Sequence, residues 1–260
     1  MDVAHALGRY LEVADAVAPG LIEGLYVVGS FALDDWHEDH SDIDIVAITA
    51  EPATEEDGSQ IRLLHALLAE QQPVPHVDGP YLAWGDLVVP PSTGLYRPWS
   101  LDGVAHHDGE CFEINPITWY TLATYGVTVR GPMRERLGAV LDTEERVRFV
   151  VDNLHSYWAN VAAQISEVLT AEPDREVTAE MLEWCALGAL RLHYTAFTGD
   201  VTSKRGAGEH GLSVAPTRFH DAIRAGLALR AGEPAAVSGA LLLDAAALIE
   251  WCITEVDAGR

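Results

Sequence analysis

Apolar residues recur at helical spacing through VAHALGRYLEVADAVA, residues 3–18, and Pro19 and Gly20 close the run, which predicts an amphipathic helix at the start of the chain. LYVVGS, residues 25–30, then reads as a buried strand running into a glycine turn. FALDDWHEDHS, residues 31–41, becomes polar and turn-forming, and leads into IDIVAIT, residues 43–49. There Ile43, Ile45 and Ala47 alternate with Asp44, Val46 and Ile48, the period of a second strand with an acid at its entry. Residues 51–72 begin with proline and acids and turn apolar at i, i+3, i+4 spacing, as a helix covering one face of a sheet does. HVDGPYLAW, residues 76–84, predicts a third strand, and Gly79 and Pro80 within it favour an edge position or a bulge. Residues 85–116 are rich in Pro, Gly, Trp and His and have no clear period, so a long irregular segment is expected. INPITWYTLATYGVTVRGP, residues 114–132, predicts a helix entered at Pro116 and a short strand ending at Gly131 and Pro132.

The character then changes. From Thr143 the pattern is helical almost throughout, over roughly 143–170, 178–198, 216–230 and 233–258, with EPDREV, GDVTSKRGAGEHGLSVAP and AGEP as the separators. The boundary falls near residues 135–143. The expected architecture is an α/β (α+β) domain with a mixed sheet over residues 1–140, followed by an all-α helical bundle over 141–260. A chain of 260 residues accommodates two such domains.

Composition narrows the function classes. The N-terminus lacks the basic start and uninterrupted apolar run of a signal peptide, and no apolar stretch is long enough to span a bilayer. Cys111, Cys185 and Cys252 are far apart and in no CxxC pattern, so neither a disulfide framework nor a zinc site is expected, and a cytoplasmic location is. Forty acidic against sixteen basic residues give a formal charge of −24, which argues against nucleic acid as partner and suits a polycationic ligand, although acidity can also serve solubility alone. Lys204 is the only lysine of the chain.

Chemistry concentrates between the first two strands. Gly29 and Ser30 close one strand, ten residues intervene, and Ser41, Asp42, Ile43 and Asp44 open the next. Side chains two apart on a strand point to one side, so Asp42 and Asp44 can present their carboxylates together to a hard divalent cation. Gly29 allows close backbone approach to a ligand, and the Ser30 hydroxyl can hydrogen-bond triphosphate oxygens. Asp78, on the third strand, is placed to supply a third carboxylate. His106 and His107, followed by Asp108, could suggest a metal cluster, but adjacent strand side chains diverge and a solvated loop is the simpler reading. Trp99, in YRPWS, could shape a pocket wall.

GSFALDDWHEDHSDIDIVAIT resembles the signature of the polymerase-beta-like nucleotidyltransferase superfamily, and the whole chain resembles the aminoglycoside adenylyltransferases that modify streptomycin and spectinomycin. YGVTVRGP, residues 125–132, resembles the end of that family's catalytic domain. ALRLHYTAFTGDVTSKRGAGEH, residues 189–210, resembles its second-domain motif of a helix, Thr-Gly and a lysine-containing loop. The resemblance implies an enzyme that moves AMP from ATP with Mg2+ to a hydroxyl of an aminoglycoside, with ATP and acceptor held between the two domains. It implies Ser30 for the triphosphate, Asp42, Asp44 and Asp78 for magnesium and catalysis, and Arg191 and Lys204 for the nucleotide phosphates. In the family the third acid is a glutamate that accepts the hydroxyl proton; here it is the shorter Asp78, which leaves Glu110 and Glu113 as further candidates for the base. A surface partnership with Glu183 or Glu180 is the plainer reading of Arg191. Transfer to another small hydroxyl compound or to a protein side chain stays open, as does a non-catalytic nucleotide-binding protein. Both aspartates are present, which favours catalysis. The oligomeric state is open, with a monomer favoured by the resemblance.

Overall fold

In the computed structural model, which describes residues 2–38, 41–71, 74–91, 95–107 and 109–259, the chain forms two compact units, Met1–Asp142 and Thr143–Arg260. The first begins with helix α1 (Val3–Val17), capped by the Asp2 side chain on the amide of Ala4, and strand β1 (Gly24–Val27). A one-turn helix α2 (Gly29–Ala32), strand β2 (Ile43–Thr49), helix α3 (Glu55–Gln71) and strand β3 (Val77–Ala83) follow. The short helix α4 (Trp84–Leu87), a hairpin of β4 (Trp99–Leu101) and β5 (Val104–His106), helix α5 (Pro116–Tyr125) and strand β6 (Val127–Arg130) complete the unit.

The six strands make one mixed sheet in the order β5-β4-β3-β2-β1-β6, in which only β2 and β3 run parallel. β2 is buried on both faces except near Asp44, and this explains its run of apolar residues. Ile43, Ile45 and Ala47 pack with α1 and α3, whereas Val46 and Ile48 pack with Trp119 and Leu122 of α5. Two sequence expectations need correction here. β3 is an interior strand, buried along all seven residues, because the β4–β5 hairpin covers the side that Gly79 and Pro80 appeared to leave open. The irregularity itself is real: β2–β3 pairing runs through Asp44 opposite Asp78, lapses across Gly79–Pro80, and resumes at Ala47 opposite Tyr81. Residues 85–116, expected to be irregular, contain the hairpin. Its two-residue turn, Asp102–Gly103, has φ of +52° and +73°, the positive values that an Asp-Gly hairpin turn adopts.

The second unit is helical. α6 (Thr143–Asn153) and α7 (Ala159–Ala171) are joined by a π-helical turn, Leu154–Trp158. α8 (Ala179–Thr198), α9 (Lys204–Val214), α10 (His220–Arg230) and α11 (Gly239–Ala258) follow. α9 corrects the reading of residues 199–216 as a separator. Ser203 caps it on the amide of Gly206, and the glycines that resemble a loop let it lie close to its neighbours: a Cβ at Gly211 would come within 2.6 Å of Leu190 Cδ1. Among the described residues no helix is long and apolar enough to cross a membrane.

Candidate active site

β1 ends at Val27, and the backbone then breaks into α2 through Gly29, whose φ is +57°. A residue with a side chain is strained in that conformation. The space is taken as well, because a Cβ on Gly29 would lie 1.8 Å from Asp44 Oδ2 and 2.5 Å from Asp44 Cγ. The absence of a side chain at Gly29 thus lets the Asp44 carboxylate lie directly against the backbone. The amide of Val28 donates to the Asp44 carbonyl at 2.8 Å, fixing the β1–α2 turn against β2. Ser30 follows, half-buried, on α2.

Asp42 is exposed, Asp44 half-buried and Asp78 buried. Because β2 and β3 are parallel and Asp44 faces Asp78 in register, the two side chains emerge side by side on the same face of the sheet. Asp78 accepts the Gly103 amide on both carboxylate oxygens, at 3.1 and 3.3 Å. Burial pushes its carboxyl above the ordinary range; the Gly103 amide and His76 oppose this and Asp42 adds to it.

Glu113, in the segment entering α5, belongs to the same neighbourhood. Its carboxyl is pushed up to about 8, first by burial and then by the charges of Asp44 and Asp78. Its Oε2 is buried and has no hydrogen-bond partner among the described residues. Asp44 and Asp78, side by side with Asp42 near them, offer carboxylate oxygens suited to a hard divalent cation, and the charges of Asp44 and Asp78 add to burial in raising the proton affinity of Glu113. That donor chemistry fits magnesium. Glu110 is exposed on the preceding loop.

A neighbouring group was not anticipated from sequence. Ligand atoms of Asp42, His76 and Asp102 lie within 4.8 Å of one another, with His76 Nδ1 3.6 Å from Asp42 Oδ1. The signal for His76 was present: it stands two residues before Asp78, repeating the Asp42–Asp44 spacing. Asp102 could be found only through the Asp-Gly hairpin. His106 stacks on Trp99, with ring centroids 4.3 Å apart, and Trp99 meets Phe112 edge-on; Asp108 lies outside the described residues.

In the second unit Arg191 is half-buried on α8. Lys204 begins α9, and its Nζ donates to Glu183 Oε1 at 3.0 Å. The same oxygen has Arg230 Nη1 at 3.7 Å, so the partly exposed lysine is held by an acid it shares with a buried arginine.

Comparison with known proteins agrees with this geometry. Residues 12–78, which run from α1 to Asp78 and include Gly29, Ser30, Asp42 and Asp44, match the model of the nucleotidyltransferase domain family. No curated protein sequence matches the chain. Among solved structures the chain is similar to the spectinomycin adenyltransferase AAD(9) from Enterococcus faecialis, solved with ATP and spectinomycin, with a TM-score of 0.69 and 13% identity over 98% of this chain and 100% of that one. The chain therefore carries a match to the nucleotidyltransferase domain at the segment that builds its carboxylate cluster, and shares its fold along nearly its whole length with a spectinomycin adenyltransferase.

Proposed function

We propose that the protein transfers AMP from ATP to a hydroxyl group of an aminoglycoside and releases pyrophosphate. The observation that carries this reading is the seating of Asp44 on Gly29 beside Asp78, which gathers carboxylates at the end of a strand, turn and helix inside the matched domain. Asp42, Asp44 and Asp78 would hold magnesium, which offsets charge on the triphosphate and polarises the phosphorus under attack. Ser30 donates its hydroxyl to phosphate oxygens, and Arg191 and Lys204 bind the nucleotide phosphates as cations.

The base in this reading is Glu113. Asp78 is short and already accepts the Gly103 amide, whereas Glu113 has a buried oxygen with no hydrogen-bond partner among the described residues and a proton affinity raised toward neutrality. The acceptor O–H loses its proton to Glu113 as its oxygen bonds to the α-phosphorus. The bond from that phosphorus to the bridging oxygen breaks, and its electron pair leaves with pyrophosphate. An acceptor carrying several ammonium groups suits a chain of charge −24, and the adenyltransferase with the same fold was solved with ATP and spectinomycin.

The test is a screen of the four nucleoside triphosphates with magnesium against spectinomycin, streptomycin and other aminoglycosides, following pyrophosphate release and product mass. ATP with at least one aminoglycoside should give a product heavier by one AMP. If ATP binds but no aminoglycoside elicits pyrophosphate, the acceptor assignment fails. If magnesium-dependent ATP binding is the same in the Asp42→Ala, Asp44→Ala double variant, the metal assignment fails.

A further inference from the structure

Beside the Asp44–Asp78 pair the sheet carries a second pair of ligating side chains. Ile43 faces Val77 in the β2–β3 register, and the Ile43 amide donates to the His76 carbonyl at 2.8 Å, so Asp42 and His76 enter the two parallel strands side by side, one step ahead of Asp44 and Asp78. The third member comes from a separate segment. The β4–β5 turn is brought over β3 by the bond from the Gly103 amide to Asp78, and a Cβ on Gly103 would lie 3.2 Å from His76 Cδ2. This sets Asp102, the preceding residue, beside the imidazole.

We propose that Asp42, His76 and Asp102 bind a divalent transition-metal ion through two carboxylates and one ring nitrogen. This goes beyond the magnesium site of the proposed function and shares with it only Asp42. Three facts carry it. The ligand atoms are gathered from three separate segments and lie within 4.8 Å of one another. Metal–ligand bonds of ~2.1 Å place ligand atoms at most ~4.2 Å apart, so closure needs a shift of about half an ångström. No Arg or Lys among the described residues forms an ion pair with Asp42 or Asp102, so the two charges match a dication. The imidazole decides its kind, because magnesium takes oxygen ligands and keeps its water, whereas manganese, cobalt and zinc accept a histidine nitrogen.

The probe is Mn2+ added to the metal-free full chain and read by pulsed electron paramagnetic resonance, which detects the coupling of a directly bound 14N. The wild type should bind a manganese ion with one imidazole 14N coupling. His76→Gln should abolish that coupling, and Asp102→Asn should retain it while weakening Mn2+ binding roughly tenfold or more. Asp44→Asn, outside the trio, should keep the coupling. Circular dichroism melts identify any variant that fails to fold, and the wild-type spectrum is decisive by itself. A wild-type spectrum without nitrogen coupling overturns the proposal, as does coupling that survives in His76→Gln or disappears in a folded Asp44→Asn. Failure of the enzymatic reading is a separate result: nitrogen coupling with no magnesium-dependent ATP binding would leave the transition-metal site standing and remove the transferase.

Discussion

A methyl group at position 29 would sit 1.8 Å from Asp44 Oδ2, on a backbone whose φ is +57°. Gly29→Ala therefore incurs left-handed strain of about 1–2 kcal/mol and, in addition, displaces the carboxylate. Both a lower melting temperature and a loss of magnesium-dependent ATP binding are expected; unchanged ATP binding would show that Asp44 is not a ligand. Glu113 gives a prediction of opposite sign. Its folded carboxyl titrates at about 8 against an ordinary value of 4.5, so the unfolded chain releases this proton first. The destabilisation begins as pH rises through 4.5 and is complete above 8. Glu113→Gln should accordingly raise the melting temperature of the metal-free protein at pH 8. If Glu113 is the base, the same change should lower kcat by about 10²–10⁴-fold while ATP still binds. A variant that is stabler and equally active would remove Glu113 from the chemistry.

At the level of elements, helix packing in the second unit depends on missing side chains. The π-helical turn Leu154–Trp158 delivers Trp158 onto α8, where a Cβ on Gly188 would fall 2.2 Å from the indole Cη2. Alanine at a helix interior normally gains about 1 kcal/mol over glycine. Here overpacking costs about 1–3 kcal/mol, so Gly188→Ala should lower stability by as much as ~2 kcal/mol in a denaturant melt. A stabilised variant would mean that the Trp158–Gly188 contact is loose. These contacts also mark where the sequence stops being legible. The alternation in IDIVAIT and the apolar period of VAHALGRYLEV are local and give β2 and α1 directly. α9 is held by partners on α8 and α10, so Gly208 and Gly211 read as a loop until those partners are in place. The β4–β5 hairpin was announced by Asp102–Gly103 between WSL and VAH, but the surrounding Pro and Trp residues obscured it. Of the candidate site, the pairing of Asp42 with Asp44 follows from strand period, and Asp78 from its place on the neighbouring strand and the family resemblance. His76 repeats that period unnoticed. The association of Glu113 with Asp44 and Asp78 has no local signature, because tertiary packing creates it.

Across the whole molecule, each unit buries a histidine that refuses its proton. Burial holds His65 in the first unit and His193 in the second down at about 4. The unfolded chain protonates both near 6.5, so below that pH it takes up protons that the folded chain does not. Stability is complete above 6.5 and is lost as pH falls from 6.5 to 4, by about 1–2 kcal/mol per histidine at pH 5. Denaturant midpoints at pH 7 and pH 5 check this; equal midpoints would refute it. His65 reaches further than its own pocket. Its Nε2 meets Tyr81 Oη at 2.7 Å, Tyr81 Oη meets Tyr10 Oη at 2.8 Å, and the ring also bonds the backbone of Gly103. The tip of a surface hairpin is thus anchored to a helix, an interior strand and the carboxylate of Asp78. Surface turns are ordinarily where a chain tolerates insertions at little cost. This one has a fixed length: a single residue added between Asp102 and Val104 would release Asp78, unseat His65 and withdraw Asp102 from His76 together, so the loop's residue count is itself a part of the site.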